Sequence, residues 1–322
     1  MDAIENALRI IRFDHPEYVM IRPPDYLITY RGCDHEGYSG IGDDHPVGSR
    51  WEDIWGTGWH KELDGVMGLP EEYPLAKVEQ LRTYRWPNSQ DDHICGQIYR
   101  LAEAFPGSDQ WITGSHRDTL WEKAYMLVGM ENLMVYFYTE PDFVRDVLHR
   151  IMDFQLGIAK HYLKAGVRMV KMSDDLGAQR GPLLGPKIVN RFLVPEYQRL
   201  FGLYKEHQVL INFHSCGNVD SIVEMLIQLG ADVLNPVQAT ANDLSRVRTI
   251  TQGRLALQGC VSSKTVMEGP IEAIEAEVKE RIGQLGREGG YFCCQDQSLP
   301  YPPEHLQAFE KSVDKYGWYP LS

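Results

Sequence analysis

His214 and Cys216 stand two residues apart at the end of an apolar run, Val209-Leu210-Ile211-Asn212-Phe213. Side chains alternate faces along a strand, so positions i and i+2 look the same way. An imidazole and a thiolate facing one way make half of a zinc site, because Zn²⁺ takes N and S ligands at tetrahedral angles. The same pair equally fits a histidine hydrogen-bonded at a packed strand end, and spacing leaves both readings open. Asp174 and Asp175 end a second apolar run and could act as general acid or base, or anchor a cationic group. The alternative is a helix cap or turn, although two adjacent caps are redundant. Asn235 with Gln238, Gln258 with Cys260, and Asp296-Gln297-Ser298 end further apolar runs. Each run demands burial, yet each ends in groups that need water, a ligand or a metal. Asn235, Gln238 and Gln258 are therefore expected to bind substrate.

The elements that must position these groups alternate. From residue 108 onward, strand patterns at 110–115, 167–173, 209–214, 233–237, 255–260 and 291–294 are each followed by helical spacing. The helices are expected at 119–130, 141–162, 186–205, 219–229, 242–251, 270–285 and 303–314. Such alternation implies parallel βαβ units. No Gly-rich phosphate loop follows a strand, which disfavours a dinucleotide-binding sheet. The expected fold is a (β/α)8 TIM barrel, whose active site lies at the C-terminal strand ends. Residues 1–107, rich in Pro, Gly, Trp and Tyr, read as an irregular N-terminal extension with covering loops, within one domain over 1–322. Trp51, Trp55 and Trp59 in that extension form either a local aromatic core or, with Trp55 foremost, an aromatic wall over the substrate.

Composition narrows the partners. With 32 basic and 45 acidic residues the 322-residue chain carries a net charge of −13, and no basic cluster could hold a phosphate backbone. Nucleic acid is thereby disfavoured. The apolar runs are far shorter than the ~20 residues of a membrane span. Met1-Asp2-Ala3-Ile4-Glu5 resembles no secretory signal. Six cysteines, two of them adjacent, suit reduced thiols better than a disulfide framework. A cytoplasmic enzyme is expected, with its oligomeric state open.

Several stretches resemble the uroporphyrinogen decarboxylase superfamily. They are Lys171-Met172-Ser173-Asp174-Asp175-Leu176-Gly177, Pro195-Glu196-Tyr197, Phe213-His214-Ser215-Cys216-Gly217-Asn218, Asn235-Pro236-Val237-Gln238 and Gly289-Gly290-Tyr291. The resemblance covers roughly residues 108 to 322, and the His-Ser-Cys-Gly-Asn run is its most specific piece. It implies the same barrel and one of two chemistries. One is cofactor-free decarboxylation of porphyrinogen acetates. The other is methyl transfer to or from a corrinoid carrier, where a His-x-Cys pair and a distant cysteine hold zinc. Decarboxylases of the family carry an arginine-rich N-terminal segment, but here Val19-Met20-Ile21-Arg22-Pro23-Pro24 offers only Arg22. A polycarboxylate needs several bidentate cations, so the methyltransferase branch is favoured.

On that resemblance His214 and Cys216 are the expected zinc ligands. The third ligand is open among Cys260, Cys293, Cys294 and the register position of Gln297. Asp174 or Asp175 is the expected proton donor or positioning group, sharing one cavity with His214 and Cys216. The implied function is a methyltransferase component of a corrinoid-dependent system, with O-demethylation as its reaction and corrinoid supplied by a separate protein. A cofactor-free lyase of uroporphyrinogen decarboxylase type and a non-catalytic binding barrel are the alternatives.

Overall fold

The computed structural model describes residues 1–35, 45–64, 67–107 and 109–321. Strands β1 (Asp25–Ile28), β2 (Trp111–His116), β3 (Met169–Ser173), β4 (Leu210–His214), β5 (Val233–Val237), β6 (Ala256–Val261) and β7 (Tyr291–Gln295) form one sheet in chain order. Every neighbouring pair is parallel. Met20, ahead of β1, bridges in parallel to Phe292 of β7, and the Cys293 N–H donates to the Met20 carbonyl at 2.8 Å. That bridge brings the two sheet edges together. The expected α/β barrel form results, with seven strands among the described residues.

The helices are α1 (Ala3–Arg12), α2 (Asp92–Glu103), α3 (Trp121–Val128), α4 (Met130–Thr139), α5 (Pro141–Lys164), α6 (Val194–Glu206), α7 (Val223–Leu229), α8 (Leu244–Thr251), α9 (Ser263–Glu268), α10 (Ile271–Leu285) and α11 (Pro303–Tyr316). Outward-facing strand residues such as Val170, Met172, Ile211 and Phe213 are fully buried in one apolar core with Ile151, Tyr197 and Leu226 of the helices. At the other end, α1 is capped by Asp2, whose carboxylate accepts the Glu5 N–H at 2.7 Å. Its Ala7, Ile10 and Ile11 pack on Trp111, Met169, Val233, Ala256 and Phe292 at the strand starts. Each such large apolar side chain contributes about 1.5–3 kcal/mol on burial. The barrel is thus plugged with hydrocarbon at its N-terminal end.

Two predicted helices are interrupted. The segment expected at 119–130 ends at Gly129, whose φ of +87° suits glycine, and α4 follows at once. The helix expected over 186–205 begins with a single turn, Pro186–Ile188, and a π-helical stretch, Val189–Leu193, before α6. Pro195 explains the wide turn, since it has no N–H to donate and its ring crowds the carbonyl four residues back. The extension is more regular than its composition suggests. It holds α1, α2 and an antiparallel sheet of Arg50–Glu52, Gly58–His60 and Leu69–Glu72. Among the described residues no helix is long and apolar enough to cross a membrane.

Candidate metal centre

Strands β3 and β4 are register partners, with Ser173 opposite His214. Their exit loops therefore leave the barrel side by side, and two glycines let them touch. A Cβ on Gly177 would lie 2.5 Å from the Asn218 carbonyl oxygen, and one on Gly217 would lie 2.5 Å from the Gly177 carbonyl oxygen. Gly217 also has φ +79°, a left-handed conformation costly to other residues. The Asn218 N–H donates to the Ala178 carbonyl at 2.8 Å, and Gln238 accepts the Gly217 N–H. This backbone-to-backbone seam sets Asp175 beside Cys216.

The two adjacent aspartates then take different places. Asp174 is fully buried and accepts from the Leu120 N–H at 2.9 Å, the Glu122 N–H at 2.8 Å and the Tyr197 hydroxyl at 2.6 Å. It thus caps the start of α3 from a neighbouring strand. Burial pushes its carboxyl up to about 7, against the pull of those donors. Asp175 instead faces the cluster. Its Oδ1 accepts the Cys216 N–H at 2.7 Å and lies 3.7 Å from His214 Nε2.

His214 Nε2 is 3.4 Å from Cys216 Sγ, and its Nδ1 is 3.0 Å from Asn235 Oδ1. Asn235 can only accept through that oxygen, so Nδ1 carries the proton and Nε2 keeps its lone pair. Burial, and then the Asp175 charge, push the Cys216 thiol up to about 12, while the Gln297 amide N–H, 3.4 Å from Sγ, works the other way. Ligand atoms of Asp175, His214 and Cys216 all lie within 4.8 Å of one another. One neutral imidazole nitrogen, one thiol and one carboxylate oxygen suit Zn²⁺, and three protein ligands leave the fourth position open, as in catalytic zinc sites.

Among the described residues, none of the cysteines considered for a third ligand joins the Asp175, His214 and Cys216 ligand atoms. Cys260 and Cys293 are fully buried, and Cys294, nearly so, lines the cavity below. At the register position considered with them, Gln297 supplies an amide that donates to Cys216. The cavity, about 380 Å³, is lined by His214, Asn235 and Gln258 among others. Gln258 Oε1 also accepts from Asn212 Nδ2 at 3.1 Å. Gln238 braces the Gly217 turn instead of lining the cavity. Trp55 is 1% exposed and packs edge-on against Phe154 in the hydrophobic core, away from that lining. Trp51 and Trp59 stack with each other and with His45 and His35.

Residues that the sequence reading did not single out also gather here. Glu122 accepts from the Ser173 hydroxyl at 3.4 Å and the Tyr125 hydroxyl at 3.2 Å. Burial, followed by the charges of Asp118, Asp174 and Asp175, pushes its carboxyl up to about 9. Behind it lies a buried trio of His35, Asp118 and Lys123. The available signal was Glu122-Lys123, two charges inside an otherwise apolar helix start. Two stretches have the Asp-x-His-x-x-Gly spacing of cobalamin-binding segments. In one, Asp91 caps α2 through the His93 N–H at 2.9 Å and His93 lies exposed on that helix. The other runs over 43–48, and its first two residues lie outside the described ones.

Comparisons with known proteins agree with this architecture. A methyltransferase from Methanosarcina mazei has a similar structure, with a TM-score of 0.69 and 17% identity, covering 98% of this chain and 99% of that one. A B12-independent methionine synthase from Shewanella sp. W3-18-1 matches at a TM-score of 0.47 and 10% identity, over 68% of this chain and 64% of that one. No curated protein matches the chain. The model of the uroporphyrinogen decarboxylase (URO-D) family matches residues 71–316, which spans the barrel strands β2 to β7 and all the polar strand ends described above. The chain belongs to the uroporphyrinogen decarboxylase family.

Proposed function

We propose that this chain is the methyltransferase component of a corrinoid-dependent system and works as an O-demethylase on a small methoxylated compound. The observation that carries the reading is the Asp175–His214–Cys216 cluster at the mouth of a polar cavity. A zinc ion held there supplies a Lewis acid toward the oxygen or sulfur that bears the methyl group. The corrinoid comes on a separate protein.

The chain's own residues do the rest. Asn235 holds His214 in the tautomer whose Nε2 is free to ligate. Gln297 and the Asp175 carboxylate flank Cys216 on two sides. Gln258 and Asn235 present amides to the substrate inside the cavity. Glu122, kept protonated by its burial, stores a proton next to the Asp175 loop. The fold similarity to a methyltransferase is consistent with this reading.

The test is methyl transfer from a panel of aryl and alkyl methyl ethers to free cob(I)alamin, followed by its absorbance, with zinc measured on protein purified without chelator. Transfer that is lost together with zinc in Cys216→Ser is the expected result. Metal-free protein, or full transfer by Cys216→Ser, would overturn the reading and favour a cofactor-free lyase or a binding barrel.

A further inference from the structure

Cys216 follows β4, yet one of its side-chain partners comes from three strands away. Gln297, in the loop that leaves β7, brings its amide Nε2 to 3.4 Å from Cys216 Sγ. The loop is built to hold that side chain in place. The Asp296 N–H donates to the Val261 carbonyl at 3.0 Å, and the Asp296 carboxylate accepts the Ser263 N–H at 3.0 Å and its hydroxyl at 2.6 Å. From the other end, the Tyr301 hydroxyl lies 2.7 Å from the Gln297 carbonyl oxygen and 2.8 Å from Ser263 Oγ. Asp296, Ser263 and Tyr301 are buried, whereas Gln297 between them is exposed. Two anchored flanks thus carry one exposed amide to the sulfur.

That amide supplies something the other neighbours cannot. His214 Nε2 and the Asp175 carboxylate also meet Cys216 Sγ, and both can only accept. A metal-bound cysteine is a thiolate with no proton to give, so Gln297 is the donor and the sulfur the acceptor. The thiolate is also a nucleophile. Two ligands of one tetrahedral zinc lie about 3.5 Å apart, given Zn–S and Zn–O lengths of about 2.3 and 2.0 Å. A methyl group carried to the fourth position of the site is therefore within reach of Cys216. In the side reaction a sulfur lone pair would form the S–C bond and the C–O electron pair would stay on the departing oxygen. The anionic ligand would then be a neutral thioether, and the site would be spent.

We propose that Gln297 is a positioning residue that guards the metal thiolate. Its N–H stays on Cys216 Sγ in the loaded site, draws charge off the sulfur and keeps it from taking the methyl group. The hydrogen bond rests on the metal cluster alone, whereas the methyl group rests on the function proposed above. An amide at this place, unlike a further thiolate, also leaves the ion with one sulfur and no added negative charge.

The experiment exposes the zinc-loaded whole protein to methyl iodide and follows S-methylation of Cys216 by peptide mass spectrometry. Gln297→Ala should be methylated there roughly tenfold faster than the parent chain, the weight of one hydrogen bond to a charged group. With cobalt(II) in the site, the sulfur-to-metal charge-transfer band should move to longer wavelength in Gln297→Ala, because a thiolate without its donor gives up an electron more readily. Cobalt affinity should fall by at most about a hundredfold, as for a partner outside the ligand set. Equal methylation rates, or an unmoved band, overturn the proposal. A larger loss of affinity also overturns it, since Gln297 would then be a ligand through Oε1. Protein that takes up neither zinc nor cobalt removes this proposal and the functional reading together. The expected rates and band without methyl transfer to cob(I)alamin leave the guarded thiolate standing and remove the functional reading alone.

Discussion

Asp175 Oδ1 accepts the backbone N–H of Cys216 at 2.7 Å, across the seam between the loops that leave β3 and β4. The same oxygen lies 3.7 Å from His214 Nε2. One carboxylate therefore both positions the thiol and completes the donor set around it. This gives Asp175 a role that no spacing within a single strand could assign.

Replacing Asp175 by Asn keeps an oxygen for the Cys216 N–H but removes the anionic ligand. Zinc affinity should drop by more than about tenfold, since even outer-shell losses cost that much. Chelator competition measures it, and thermal unfolding of the metal-free form should be nearly unchanged. Undiminished affinity would remove Asp175 from the ligand set.

Asp174→Ala should act on stability instead. It strands the Leu120 and Glu122 N–H groups and the Tyr197 hydroxyl in a buried region. The expected loss is about 2–4 kcal/mol, read as a lower urea midpoint. A stable Asp174→Ala protein that lacks activity would point to chemistry at Asp174 instead.

Gly217→Ala should damage both fold and site. The added methyl meets the Gly177 carbonyl oxygen at 2.5 Å, at a residue with φ +79°. A cost of about 1–3 kcal/mol is expected from the backbone strain, together with poorer zinc retention, because the seam carries both Asp175 and Cys216. Chemical denaturation and metal analysis on one sample check the pair of effects.

Glu122 supplies a pH dependence. Its carboxyl is raised by burial to about 9 in the folded protein, from an ordinary value of 4.5. Between those values the folded chain holds a proton that the unfolded chain has released. This contribution is full below pH 4.5 and is lost as pH rises through about 9. Glu122→Gln, which mimics the protonated form, should therefore lose less stability between pH 5 and pH 9 than the parent chain. Parallel stability curves for the two proteins would show that Glu122 is ionised when folded.

The order of strands and helices in the barrel was legible in the chain, because burial imposes the periods of two and 3.6 on side-chain chemistry. The same periods put His214 and Cys216 on one side of a strand end and marked Asn235 and Gln258 as polar groups that line one cavity, although Gln258 sits in mid-strand and not at the strand end expected for it. Local rules could not see the break at Pro195 as a π turn, or α1 as the plug beneath the strands, since α1 is explained by what it covers. Asp174 and Asp175 look equivalent in sequence. Only packing separates them, one capping α3 across the core and the other turned to Cys216. Trp55 likewise resembles a ligand wall until the fold places it against Phe154 in the core. Glu122, Lys171 and Arg22 gather near His214 from segments far apart in the chain, and sequence spacing carries no information about which strand ends meet. That is set by closure of the sheet, which no single element contains.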